Sequence, residues 1–237
     1  MSIRNLIKNS VGDKFSENIY IAKYHDYLME WGKSRDSERS SGFHASSLAE
    51  KNFCLVRAVL SEMQGDSAKR AYSPRTLSIF WTGNVIHEKH LDYYRDTGVA
   101  KFIEQQFTSD LYDMTATPDA VIDFLGTATI IEIKSMNTYE FKKLNKAPNN
   151  AYVQVQIYMG LLGIPQSLIV VEDKNTQELK VFKITYNVED SMLYMKRRLA
   201  IKKCVDAGKI PYKKRICENA TTNKKCRMHS VCWGTEK

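Results

Sequence analysis

The stretch TPDAVIDFLGTATIIEIK, residues 117–134, constrains this chain more than any other. Two apolar runs flank Leu125, Gly126 and Thr127, which predicts a β-hairpin with its turn there. A half-buried strand alternates faces with period two, placing Glu132 and Lys134 on one face and Ile131 and Ile133 on the other. Pairing across the turn brings Asp119 opposite residues 132–134. Two acids and a lysine then project from one edge of an apolar unit, and such groups need solvent or a ligand.

The rest of the chain supplies a frame. Ile19, Ile21, Tyr24 and Leu28 recur at helical spacing, predicting a helix over 15–31 that is broken by SERSSG at 37–42. Ser46 or Ser47 caps a second helix to Met63, with Glu50 as capping-box partner of Ser47 and Cys54 on the helix. A third, over about 77–95, carries His87. Strands follow at 99–107 and 109–115, pairing with each other ahead of the hairpin. Beyond it come a helix from Asn149 or Asn150 to Leu162, ended by Gly163 and Pro165, strands at 167–173 and 178–187, and a long helix at 188–207. Helices before, between and after a central group of strands argue for an α/β or α+β sheet core whose strand order stays open.

Asp119 and Glu132 on neighbouring strands place two negative charges at close range, a costly arrangement unless a cation resolves it. Hard oxygen ligands select Mg2+ or Mn2+, whose bound water is a suitable nucleophile for a phosphodiester. Lys134 lies two residues from Glu132 on the same face, in position to orient that water or to stabilise the transition state. A surface salt bridge is the competing reading of the triplet. His87 in GNVIHEKH can complete a hard metal site through one nitrogen, or can be a surface helical histidine like His90. Gln154 and Tyr158, at i and i+4, share a helix face and can hold a phosphate or a water network; a core tyrosine is the plainer account of Tyr158.

Together TPDAVID, IEIKS, GNVIH and QVQIY resemble the motifs of the RecB-like branch of the PD-(D/E)XK nucleases, over about residues 43–232. The resemblance implies a restriction-endonuclease-like core, with a central mixed sheet flanked by helices. It implies that His87, Asp119, Glu132 and the Ile133 carbonyl bind the catalytic metal, that Lys134 is the catalytic lysine, and that Gln154 and Tyr158 are the accessory pair. The corresponding division is an N-terminal helical extension at 1–42, a helical region with Cys54 and His87 at 43–98, a nuclease core at 99–187, and a basic, cysteine-rich part at 188–237.

Cys217, Cys226 and Cys232 form C-x8-C-x5-C near the C-terminus, with Cys54 far upstream. Four thiolates can close a tetrahedral Zn2+ site or bind a cubane cluster, stapling the two ends of the chain together. The early cysteine, FCLVRAVL and the C-x5-C spacing resemble the iron-sulfur branch of the same nucleases, which includes CRISPR-associated adaptation nucleases and the AddB nuclease domain. That resemblance implies a [4Fe-4S] cluster, although the x8 spacing departs from the close pair usual there. Zn2+ held by the three late cysteines with His229, and unligated thiols, stay open. Cys204 matches no ligand position and reads as a small buried side chain.

The formal charge of +8 has its whole excess in residues 187–237, which hold 13 Lys or Arg against 5 Asp or Glu. That distribution suggests a grip on a polyanion. KRRLAIKK at 196–203 reads as a basic helix face, KKR at 213–215 and Lys224, Lys225 and Arg227 lie among the cysteines, and Tyr212 and Trp233 either stack on bases or pack about the metal site. No segment approaches the roughly 18 apolar residues of a membrane-spanning helix, and no signal-peptide pattern opens the chain, so a cytoplasmic protein of a bacterium or a virus-infected cell is expected. The expected activity is a metal-dependent DNA exonuclease on single strands or DNA ends, 5′ to 3′ by resemblance. With no Walker loop in the sequence, unwinding requires a helicase or recombination partner. The alternatives are an inactive cluster-containing DNA-binding adaptor and a metal-dependent hydrolase of another phosphoester such as RNA.

Overall fold

The structure, a computed structural model, describes residues 17–38, 43–49, 53–64 and 72–212, with Cys226, Met228, Val231 and Cys232. Glu50, Cys217, His229, Trp233 and the basic residues at 213–215, 224, 225 and 227 lie outside the described residues. The chain divides into two compact units, Met1–Ser40 with Arg70–Thr82, and Ser41–Lys69 with Gly83–Lys237.

The first unit contains α1 (Glu17–Glu38) and the opening turns of a long helix whose remainder belongs to the second. Trp81 stacks obliquely on Tyr27 and Trp31, with ring centroids 5.7 and 4.9 Å away, and Leu28 and Leu77 are buried. Gly32 permits this approach, because a Cβ there would lie 2.8 Å from Leu77 Cδ2.

The second unit begins with β1 (Phe43–His44) and a 3-10 turn, Ala45–Leu48. The Ser46/Ser47 capping signature predicts a helix from there, whereas α2 spans Leu55–Gln64. Ala45, Leu48 and Ala49 are buried in the main core, and that packing replaces the helical start. Cys54 consequently precedes α2, its carbonyl accepting the Ala58 N–H at 3.0 Å. Helix α3 (Pro74–Thr97) starts with proline at its first position and with the Ser73 hydroxyl accepting from the Thr76 N–H at 3.2 Å.

Of strands β2 (Ala100–Ile103), β3 (Phe107–Ser109) and β4 (Met114–Ala116), the last two pair with each other while β2 pairs with neither. β2 joins β5 (Ala120–Phe124) in a five-stranded sheet, while β3 and β1 flank β4 in a small three-stranded one. The large sheet continues with β6 (Thr127–Met136), β7 (Gln166–Asp173) and β8 (Leu179–Thr185), in the order β2-β5-β6-β7-β8. Only β6 and β7 run parallel, so the sheet is mixed. The turn from β5 to β6 places Leu125 and Gly126 at φ 53° and 78°, a two-residue hairpin turn of the left-handed kind.

β6 is central and buried on both faces, not half-buried. Ile130 meets Val121, Ile169 and Val171 in the main core; Ile131 and Ile133 meet Ala120, Ile122, Val170, Leu91 and Tyr94 beneath α3. Two covered faces explain why its apolar residues run consecutively. A short α4 (Thr138–Lys143) links β6 to α5 (Asn149–Leu162), which ends at Gly163 with φ 66°. Helix α6 (Val188–Asp206) opens with Asn187 Oδ1 accepting the Glu189 and Asp190 N–H groups at 2.9 and 3.1 Å.

Arg198 corrects the reading of 196–203 as a basic helix face. It is fully buried, and its guanidinium donates to both Glu62 oxygens at 2.9 and 2.7 Å, to Asp113 Oδ2 at 2.9 Å, and to the Tyr112 and Asp113 carbonyls. Phe43 lies under it, 4.4 Å from ring centroid to guanidinium carbon. One cation thereby ties α6 to α2, β1 and the turn before β4. Arg197 lies over the rings of Phe53 and Tyr194.

Candidate active site

The hairpin register pairs Ala120 with Ile131, which brings Asp119 beside Glu132. Asp119 Oδ2 accepts the Ile133 backbone N–H at 2.5 Å, and Oδ1 lies 2.9 Å from His87 Nε2 on α3. Gly83, His87 and His90 mark the stripe of α3 that faces the sheet. A Cβ on Gly83 would lie 3.5 Å from Ser135 Oγ, His87 meets Asp119, and His90 Nε2 lies 2.7 Å from Glu172 Oε2.

Glu132 is 1% exposed. Its Oε1 forms an ion pair with the Lys134 ammonium, yet neither oxygen receives a hydrogen bond of ordinary geometry. Burial first, and the Asp119 charge second, push its pKa up to about 7 against the pull of Lys134 and His87. Burial disfavours the charged form of Lys134, but Glu132 and Asp119 outweigh it and hold the ammonium above its ordinary value. For His87 too, burial is opposed and overcome, by Asp119 and then by Glu104 and Glu132, so the imidazolium persists above its usual range.

Gln154 and Tyr158 reach the same point from α5. Lys134 Nζ donates to Gln154 Oε1 at 3.4 Å, and Gln154 Nε2 donates to the Tyr158 hydroxyl at 2.9 Å. Tyr158 is buried in the main core, and its pKa is raised by that burial and by the nearby Glu132. It is both a core aromatic and a neighbour of the charged cluster. Gln156, one helix face away, has a structural part: it donates to the Thr185 carbonyl and accepts the Asn187 N–H, at 3.0 and 2.9 Å.

His87, Asp119, Glu132, Lys134, Gln154 and Tyr158 thus form one connected set, with the Ile133 backbone inside it. Among the described residues no three His, Cys, Asp or Glu side chains already converge as metal ligands. Asp119 is turned to His87 and Ile133, and Glu132 to Lys134. The donors themselves, carboxylate oxygens with one imidazole nitrogen, are those that a hard divalent cation takes, and the Glu132 carboxylate, which lacks a hydrogen bond of ordinary geometry, fits such a charge.

Two acids carry no signal in the sequence pattern of the site. Glu104, with φ 48°, lies 4.0 Å from His87 Nδ1. Glu172 is 1% exposed and binds Lys89 Nζ at 2.6 Å as well as His90, so His90 is an anchor of α3 and not a surface histidine. Only the lack of alternation in IVVED hinted at a buried acid.

Cys54, Cys226 and Cys232 pack around Val56, Leu60 and Met228 in a separate small cluster. Cys204 packs instead against the main core, consistent with a small apolar side chain. Tyr212 is 87% exposed, so among the described residues it does not pack about the cysteines. No helix among the described residues is long and apolar enough to cross a membrane.

No protein-family profile and no curated protein matches the sequence. Solved structures do resemble the fold. SSO0001 aligns with a TM-score of 0.58 at 13% identity, covering 90% of this chain and 97% of that one. The alkaline exonuclease LHK-Exo from Laribacter hongkongensis aligns at 0.53 and 16% identity, covering 79% and 93%, and its complex with dAMP at 0.52 and 18%, covering 70% and 89%. At these identities the likeness establishes the fold: the chain has a restriction-endonuclease-like α/β core, a central mixed sheet flanked by helices.

Proposed function

We propose that the chain is a metal-dependent DNA exonuclease that hydrolyses phosphodiester bonds of single strands or DNA ends, in the 5′ to 3′ direction. The observation that carries this reading is the Glu132 carboxylate, buried beside Asp119, paired with the Lys134 ammonium and with no hydrogen bond of ordinary geometry to either oxygen. A buried acid left in that state destabilises a fold, and such groups concentrate where function requires them. Asp119, Glu132, His87 and the Ile133 carbonyl would hold Mg2+ or Mn2+. When bound, the ion supplies an acidified water and offsets charge on the phosphate.

The chain's own groups complete the chemistry. Lys134 keeps its proton at the cluster, where the ammonium can meet a phosphate oxygen or orient the attacking water. Gln154 accepts from that ammonium and is itself directed by Tyr158. His87 fixes one Asp119 oxygen and the Ile133 N–H fixes the other. The complex of LHK-Exo with dAMP supports a nucleic-acid substrate for a site on this fold. We further assign Cys54, Cys226 and Cys232, with Cys217, to a [4Fe-4S] cluster joining the two ends of the domain; Zn2+ is the alternative occupant. The support is that Cys54 and, far from it in sequence, Cys226 and Cys232 pack against one small apolar cluster of Val56, Leu60 and Met228.

End-labelled DNA and RNA strands, incubated with Mg2+ or Mn2+ and with a chelator control, test the reading. DNA should shorten from its 5′ end only when metal is present. Cleavage of RNA alone would transfer the site to another phosphoester, and no cleavage with either metal would overturn it. Lys134→Ala should lower cleavage by about 10³-fold while DNA binding and the fold persist, because Glu132 can take up a proton when its partner is removed.

A further inference from the structure

We propose that α4 is a preformed grip for single-stranded DNA, with Tyr139 as a base-stacking surface and Lys142, Lys143 and Lys146 as phosphate contacts; this deepens, and rests on, the nuclease reading of the hairpin. Helix α4 starts two residues after β6 ends and lies on the Lys134 side of the sheet. Lys134 pairs with Val171, Met136 with Asp173 and Val171 with Lys180, so all these side chains share a face. That face holds α4 down: Thr138 Oγ1 donates to Asp173 Oδ1 at 2.9 Å, and Lys180 Nζ donates to the Phe141 and Leu144 carbonyls at 2.7 and 2.9 Å. Asn137 Oδ1 accepts the Glu140 N–H at 3.0 Å, and Phe141 is buried in the main core.

A six-residue helix is therefore fixed at both ends and underneath, although a helix of this length has little stability of its own. What it presents outward is Tyr139, 65% exposed, with Lys143 Nζ 3.5 Å from its ring centroid. The lysine lies over the ring, and most of the Tyr139 side chain is still open to solvent. Lys142, Lys143 and Lys146 are exposed, and Glu140 is the one acid between Asn137 and Pro148. An exposed aromatic beside a run of cations on a rigid support matches a single strand, whose bases offer stacking faces and whose backbone offers charge. Seven extended residues span at most about 25 Å, so Tyr139 lies within a few nucleotides of Glu132.

Fluorescence anisotropy of labelled oligo(dT) and of a blunt duplex, with the whole chain in chelator so that no turnover occurs, tests the grip. Tyr139→Ala should weaken oligo(dT) binding about tenfold and duplex binding less, and Tyr139→Phe should restore it. Replacing Lys142 and Lys143 with Ala should lower the slope of log affinity against log salt by about 1.4, the value for two phosphates of a single strand. Melting temperatures should hold, since none of these side chains is buried. Wild-type affinity and salt slope in all variants would overturn the grip, as would failure of the wild type to bind oligo(dT). If the wild type cleaves DNA while the variants bind unchanged, the grip falls and the nuclease stands. If it cleaves nothing yet binds through Tyr139, the nuclease falls and the grip stands.

Discussion

Glu132 and His87 titrate in the same direction, which gives the site a pH signature. The folded chain favours the protonated form of each: burial and the Asp119 charge raise Glu132 to about 7 against an ordinary 4.5, whereas for His87 burial works the other way and is outweighed by Asp119, Glu104 and Glu132. The Glu132 contribution to stability is therefore whole below about pH 4.5 and is lost as the pH climbs through about 7, and that of His87 is lost as the pH rises through its own raised value. A divalent ion must displace those protons, so Mn2+ should raise the melting temperature more at about pH 8 than at about pH 6. An equal rise at both would contradict the ligand assignment. Arg198 stands apart from this chemistry: Arg198→Ala should cost about 3–5 kcal/mol in denaturant unfolding, because Glu62 and two carbonyls lose their buried partner. The site set was legible because its contacts are short in sequence, a hairpin pair and an i,i+4 pair, with His87 supplied by motif. Arg198 and Glu172 were not, because each stands next to another residue of like charge and their partners lie more than 80 residues away.

Helix α5 bears Gln154 and Tyr158 on one side and must sit close to α6 on another. Gly160 makes that approach: a Cβ there would lie 2.3 Å from Ser191 Oγ, and Tyr152 donates to Asp190 Oδ2 at 2.5 Å. Gly160→Ala adds helix propensity worth about 1 kcal/mol, yet should destabilise by about 1–3 kcal/mol because Ser191 is buried. Adding Ser191→Ala should recover most of that loss; additive losses in the double variant would show that the hydroxyl is not the obstacle. Elements of strong local pattern were legible, among them the β5–β6 hairpin, α5 and α6. The false helix start at Ser46 shows the limit, since buried Ala45, Leu48 and Ala49 let core packing override a cap signature. The pairing of β2 with β5 was equally hidden, for no short turn joins them.

Across the whole molecule, the sequence pointed to a sheet flanked by helices but not to strand order. The parallel contact that makes β6 central, its pairing with β7, spans a helix and carries no local signal. Centrality is what buries Glu132 and removes its solvent. The proposed cysteine cluster is tested at this scale too: Cys226→Ala should lower both melting temperature and bound iron or zinc before it changes catalysis, and a metal-free wild type of full stability would defeat the cluster. The most direct test of the account is the release of nucleotides from a labelled DNA strand by the wild type and by Glu132→Gln, with Mg2+ or Mn2+. The wild type should release nucleotides only with metal, and Glu132→Gln should stay folded and lose at least about 10²-fold of that release. Equal release by the two proteins would contradict the account.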